Sequence, residues 1–564
     1  MKKIAPLLLL IVHCLTFAQE KYPTNYFKKP LDIPIILAGT FGEIRSNHFH
    51  AGIDIKTKQK EGLNILAAAD GYISRIKVSI WGYGKVIYIN HPNGFTTVYA
   101  HLSKFGEGIE EYVKKIQYEK ENYETGNIFP KANEIPIKKG QLIAFSGSTG
   151  GFISPHLHFE VRDTKTEKIL NPMLFGLTPE DSKSPSLHTL MAYPISSNAR
   201  INNANNQMIV PIKKIGNNQF TADQVYASGT IGFGINTTDQ LDDSNNHNGI
   251  YSLEMLVNGK QVYYHELATF SFAESKYINL LIDYPYYSKY QKRIQKTFKV
   301  DGNNLSIYKG LVENGKISIK QGLNYTVKII AKDFMGNTSS INIPIIGKES
   351  NALFSKRKDT TNYKIVKSKF NKFSKENVRI AFPKNTFYED FYLDFTIVNN
   401  VVKIHKPILP LNKNFTLTFN VSSYTSEEKK QLYIANINNE KYPRYQHTRK
   451  KDSVFYTTTK TLGNYTLLTD DKKPEIYNFD FKDNQWISNY KTIKVKISDN
   501  QSGIKTFRAT IDNEWVLMEY DIKNQQLTYD LSDKELVGSK HVFSLEVLDN
   551  VGNTNSLSRT FNRK

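Results

Sequence analysis

The sequence predicts a mostly β protein: an antiparallel β-sheet domain with one helical insertion, followed by about three β-sandwich modules of the immunoglobulin-like kind. Three observations predict it. Short runs rich in Val, Ile, Tyr and Phe alternate with Gly- and Asn-rich turns along most of the chain, a pattern that suits pleated, half-buried surfaces. Between residues 30 and 175, one stretch alone carries apolar residues at helical spacing. A β unit occurs twice in the region beyond about residue 180. At 564 residues the chain exceeds what one core supports, so several domains are expected.

The elements follow in chain order. "MKKIAPLLLLIVHCLTFAQE" has two lysines, an apolar run and small or tolerated residues at Thr16 and Ala18. This is a secretory signal over 1–18, cleaved after Ala18. The apolar run is too short and wrongly flanked for a membrane span. Cys14, the single cysteine, lies inside it, and His13 stands where a lipoprotein needs a small residue. The mature chain then lacks cysteine, which excludes disulfides, thiolate zinc ligands and a Cys nucleophile. No later segment is apolar enough to span a bilayer. An exported protein is expected, in the periplasm or cell envelope or outside the cell, with no transmembrane segment in its mature chain.

The first domain is expected over 19–178. "GKVIYINH" and "FTTVYAHL" read as strands, and "HPNG" at 91–94 as the hairpin turn between them. "GIEEYVKKIQYEKENYE" places Ile109, Tyr112, Val113 and Ile116 at spacings of three and four, predicting a helix in an insertion over about 105–136. From about 180 onward glycine falls and asparagine rises. Modules are expected over 179–348, 349–470 and 471–564, with polar boundaries at 347–364 and at "DDKKPE", 470–475. The first and last of these share D-x-x-G-N-T, in "IIAKDFMGNTSSINI" (329–343) and "LEVLDNVGNTNSLSR" (545–559). Upstream, each has an aspartate-rich turn ending in Gly-Ile and a second turn, "VNGK" or "IDNE".

The formal charge of +20 fits either a well-solvated surface or attraction to an anionic partner such as cell-wall polymer or a membrane surface. Nucleic acid is not expected, because the chain is exported and has no nucleic-acid motif.

Three short motifs carry candidate chemistry. In "ISPHLHFEV" the pair His156 and His158 stands at i and i+2, so on a strand both imidazoles share a face. In "HFHAGIDI", His50 and Asp54 have an even offset, with Gly52 letting the backbone bend between them. Two His and one Asp would make a catalytic zinc site with its fourth position left for water. In "TVYAHLS", His101 stands near a strand end. Each motif alone also fits core or strand-end histidines.

Together, and in this order, "HAGIDI", "AAADGYI", "GYGKVIYINHPNG", "TVYAHLS", "IKKGQLIAFSGSTG" and "SPHLHFEV" resemble the lysostaphin/LytM-type zinc metallopeptidases, which cut peptide bonds in peptidoglycan. The resemblance covers residues 35–175. It implies one Zn2+ held by His50, Asp54 and His158, with His156 and His101 as the catalytic histidines that are not ligands. It implies a peptidoglycan endopeptidase, with His156 the better candidate for general base and the division of roles with His101 left open. Two other readings stand beside it: a non-catalytic envelope scaffold or regulator, which the complete His/Asp set argues against, and a secreted protease acting on other proteins.

Other residues take plainer readings. His48 is expected at the rim, and His91 in its turn. Glu160 is read as pointing away from His158, in a structural or salt-bridge role. The aspartates before Gly249 and Gly503 are read as turn formers. The insertion, longer than the family's connection, is expected near the cleft, as a wall or lid or as a packed surface element.

Overall fold

The computed structural model describes residues 22–151, 154–349 and 360–564. The predicted signal segment and Cys14 lie outside these residues. As the sequence predicts, the chain is mostly β, its strands paired largely antiparallel, with few helices among the described residues.

Seven strands frame the first sheet: β1 (Leu37–Gly39), β2 (Ile53–Lys56), β3 (Gly71–Val78), β4 (Lys85–Asn90), β5 (Phe95–Phe105), β6 (Pro136–Ile137) and β7 (His156–Asp163). Their order in space is β1-β2-β7-β5-β4-β3-β6. β7 is therefore central, flanked by β2 and β5. Its residues alternate strictly. Leu157, Phe159 and Val161 are fully buried in the main core, together with Ile53, Ile55 and Tyr99. His156, His158, Glu160 and Arg162 share the other face. Burying side chains of this size is worth about 1.5–3 kcal/mol each, which fixes the register, because a slip of one residue would exchange the two faces.

The predicted helix forms as α1 (Ile109–Lys120), its first turn acidic at Glu110 and Glu111 as the helix dipole favours. Ile109 and Val113 are buried, and Tyr112 and Ile116 pack beside them. The face beyond them does not stay in solvent. The ring of Tyr118 lies 5.1 Å from Trp515 of the last module. Lys114 pairs with Asp533, and on the neighbouring strand Lys85 pairs with Glu519 at 2.7 Å. Trp515 and Leu517 belong to the same core as α1. The insertion is thus a docking platform for the C-terminal end of the chain, a role neither sequence reading anticipated.

Three further large cores lie in the sandwich regions. In the first, the strand Val225–Thr238 takes part in both sheets, and Phe233 and Ile235 meet Leu253, Val327 and Ile341. In the second, two five-stranded sheets enclose Ile380, Leu417, Val402 and Tyr465. In the third, a four-stranded and a five-stranded sheet enclose Val495, Leu527, Leu545 and Val547. The first sandwich region is fused to the leading domain. Its strand Thr269–Phe270 pairs with Ile169–Leu170, and Leu267, Ile278, Leu281 and Leu305 fill the leading core.

Candidate metal centre

The centre forms where β2 and β7 run side by side. His158 is paired directly with Asp54, so their side chains rise from the same face. His50 arrives from the hairpin before β2, held by its N–H to the Glu43 carbonyl at 2.9 Å. Gly52 lies between His50 and Asp54 because β7 passes so close: a Cβ there would sit 2.3 Å from the Phe159 carbonyl oxygen. The sequence reading asked this glycine only for a bend.

Three donor atoms converge. His50 Nε2 lies 3.0 Å from Asp54 Oδ1 and 3.0 Å from His158 Nδ1, and His158 Nδ1 lies 2.8 Å from Asp54 Oδ1. All three residues are at least nine-tenths buried. Tetrahedral zinc with bonds of about 2.0–2.1 Å holds its ligands about 3.3 Å apart, so this spacing and this donor set fit zinc closely.

The remaining atoms of each residue are engaged. His50 Nδ1 donates to the Thr40 carbonyl at 2.8 Å, which leaves the Nε2 lone pair facing inward. His158 Nε2 donates to Glu160 Oε1 at 2.9 Å, which turns Nδ1 inward. Asp54 Oδ2 accepts from Arg45 at 2.6 Å, so Oδ1 alone is presented to the centre. These outer partners set the tautomers on which metal ligation depends.

Glu160 is a correction to the sequence reading. At an offset of two from His158 it points to the same face, not away. It is fully buried, accepts from Tyr83 Oη and from His158, and holds Arg162 Nε at 2.7 Å. The expected salt bridge is present, but its other oxygen orients a candidate ligand. Burial pushes this carboxyl up, yet Arg162 and His158 hold it down at about 2.

The charges around the cluster suit a cation. Burial lowers His50 to about 4, so it is a neutral donor. Burial pushes Asp54 up, but the two imidazoles hold it well below the usual carboxylate range. His158 runs the other way: against burial, its hydrogen bonds to Asp54 and Glu160 raise it to about 9. A metal here competes with a single proton on Nδ1.

His156 and His101 flank the cluster. Their rings lie 4.8 Å apart, and that of His101 is 5.7 Å from His158. Strand alternation alone would send His101 to the opposite face, because its neighbour Ala100 is the residue paired with His158. A register shift between β4 and β5 and a left-handed φ of 61° at His101 turn it back. A bulge that re-aims a side chain, at a position where backbone strain is stored, is typical of working sites. His101 Nδ1 donates to the Thr149 carbonyl at 3.0 Å, and His156 Nδ1 to that of Ser154 at 2.9 Å. The basic nitrogen of each is therefore Nε2, which in His156 lies 3.6 Å from Asp54 Oδ1. Burial holds both imidazoles below their ordinary pKa, His101 well below it, so both are neutral near pH 7.

His48 is exposed and bonds the Ser46 carbonyl, at the rim. His91 is buried and ties its turn to the Asp70 carbonyl and Thr97. Sequence reasoning missed Arg45 and Tyr83, which no spacing marks, and Arg162, which the even offset along β7 does.

Residues 48–118 match the profile of Peptidase family M23, a span that includes His50, Asp54 and His101, and residues 362–470 match that of the Zu5-like domain. Over 132 residues the chain is 36% identical to the DD-carboxypeptidase/endopeptidase Mpg of Neisseria meningitidis serogroup B, covering 23% of this chain and 24% of that protein. Over 111 residues it is 32% identical to an uncharacterized metalloprotease of Haemophilus influenzae, covering 20% of this chain and 18% of that one. Over 142 residues it is 28% identical to the cell division protein DipM of Caulobacter vibrioides, covering 25% and 19%. The chain thus spans about a quarter or less of the length of these relatives. It carries a metallopeptidase domain of family M23, the lysostaphin/LytM type that its motifs resemble.

Proposed function

We propose that this protein is an exported zinc endopeptidase that hydrolyses peptide bonds in the stem or cross-link peptides of peptidoglycan. The observation that carries the reading is the convergence of His50, Asp54 and His158 at 2.8–3.0 Å beside two neutral histidines. The similarity to the DD-carboxypeptidase/endopeptidase Mpg supports the substrate class. The charge of +20 suits an anionic wall.

His50 and His158 would hold the metal through Nε2 and Nδ1, and Asp54 through Oδ1. When bound there, zinc supplies Lewis-acid activation of water and of the scissile carbonyl. His156 Nε2 takes the proton of the attacking water as general base and returns it to the leaving amine. His101, fixed through Nδ1 to Thr149, places its ring 4.8 Å from that of His156, where its basic Nε2 accepts from the N–H of the leaving amine. Glu160, Tyr83 and Arg162 keep His158 in the ligating orientation. A scaffold without catalysis has no use for two neutral histidines beside a complete ligand set.

Purified sacculi and a panel of folded and denatured proteins, incubated side by side with the zinc-loaded protein, test the substrate class. New peptide termini are expected from the sacculi alone. Cleavage of the proteins with sacculi left intact would overturn the proposal.

A further inference from the structure

Two clusters of aspartates, two buried and one half-buried in each, occupy equivalent places in the repeated β unit: Asp181, Asp239 and Asp333 in one copy, Asp470, Asp499 and Asp549 in the other. Each takes its first member from the segment leading into the module. The second follows an early strand, Val225–Thr238 or Thr492–Ser498. The third opens the D-x-x-G-N-T turn. In each cluster one oxygen from every carboxylate lies within 4.8 Å of the others.

The turn aspartates are held alike. Asp333 Oδ1 accepts from the N–H groups of Gly336 and Asn337 at 2.7 and 2.9 Å, and Asp549 Oδ1 from those of Gly552 and Asn553 at 2.7 and 2.8 Å. The same asparagine's amide then bonds the carbonyl of the leading aspartate, Asp181 at 3.3 Å or Asp470 at 3.0 Å. Such bonds aim the carboxylates but supply no counter-charge. Among the described residues no Lys or Arg forms an ion pair with any of the six.

A second observation points to a ligand. Asp239 is 3% exposed, and its Oδ1 has no hydrogen-bond partner. Asn248, which forms an antiparallel bridge with Asp239, is 2% exposed, and neither atom of its side-chain amide has a partner. In the last module Ser502 is 2% exposed with its Oγ unpartnered, and its N–H donates to Asp470 Oδ2 at 3.0 Å. Burial, together with repulsion from Asp181 and Asp333, pushes Asp239 up to about 7. A turn that needed only to close would not gather three carboxylates here and leave such atoms unsatisfied.

We propose that each triad binds one Ca2+ ion, so that the cation ties the incoming linker to the far turn of its module. The donors are all oxygen and include three carboxylates, the preference of a hard cation with flexible coordination; Mg2+ keeps most of its water and asks for fewer protein ligands. Because Asp181 and Asp470 belong to the segments entering their modules, calcium stiffens both joints and fixes how the modules carry the peptidase domain.

The test uses the full mature chain, zinc-loaded, freed of calcium and titrated with CaCl2 in equilibrium dialysis. Two Ca2+ per chain are expected for the wild type and one each for Asp239→Asn and Asp499→Asn, with none for the double variant. Asparagine keeps the size and hydrogen bonds, so these variants are expected to fold, which circular dichroism checks. Calcium is also expected to raise the melting temperature of the wild type and to protect residues 179–185 and 470–475 from proteolysis, with neither effect in the double variant. No bound calcium at millimolar concentration, wild-type stoichiometry in the double variant, or displacement by equal Mg2+ would each overturn the proposal.

Discussion

The histidine centre and the aspartate triads are both clusters of three donors, yet they are made of opposite materials. The centre takes its donors from one domain. Asp54 and His158 stand face to face on neighbouring strands, and an outer layer of Thr40, Arg45 and Glu160 fixes each ring and carboxylate. The triads collect theirs from a linker and two turns, with backbone N–H groups as the main support. The centre joins two imidazoles to one carboxylate and keeps two more histidines, both neutral, beside it. The triads offer carboxylates only, with no base at hand. A site for chemistry needs rigid donors and a proton acceptor; a site for holding a joint needs donors from both sides of it.

Substitutions separate the two kinds of site, and the largest effect is expected at the centre. His158→Ala removes a donor, so bound zinc and hydrolysis are both lost, while the calcium stoichiometry stays at that of the wild type; metal analysis and the calcium titration on one preparation check this. His156→Ala and His101→Ala are expected to keep the zinc and to lower kcat on the order of 10²–10⁴-fold, the usual share of a general acid or base. Glu160→Gln weakens the orientation of His158 without removing a donor. A loss of about 10–100-fold in zinc affinity or activity is expected, read by competition with a chromogenic chelator. The smallest effect lies at the docking platform. Lys114→Ala leaves the buried Asp533 carboxylate without its cation and should cost about 1–3 kcal/mol of thermal stability, with kcat unchanged.

Much of this was legible in the sequence because the period of a strand is fixed. His156 and His158 at an offset of two had to share a face, and the helical spacing of Ile109, Val113 and Ile116 had to bury one side of α1. The same rule reaches Glu160 and Arg162, and the reading of Glu160 as pointing away applied it wrongly. His101 shows where the rule stops. Its position depends on a bulge and a left-handed φ, which a histidine within a strand-like run does not announce. Arg45 and Tyr83 stay silent for another reason, since their partners lie 9 and 77 residues away. The docking of Trp515 against Tyr118 joins two distant parts of the chain, and no local pattern encodes it. The aspartate triads lie between these cases. The D-x-x-G-N-T repeat was visible, but the leading Asp181 and Asp470 join it only once the linkers fold back.

The central claim is that His50, Asp54 and His158 would hold a zinc ion in a site that hydrolyses peptidoglycan. The most direct measurement is mass analysis of peptidoglycan digested by the zinc-loaded mature protein, beside His158→Ala, with the zinc content of both determined. One zinc per chain and newly cut stem or cross-link peptides are predicted for the wild type, with neither for the variant. A variant that keeps both its zinc and its activity would contradict the account.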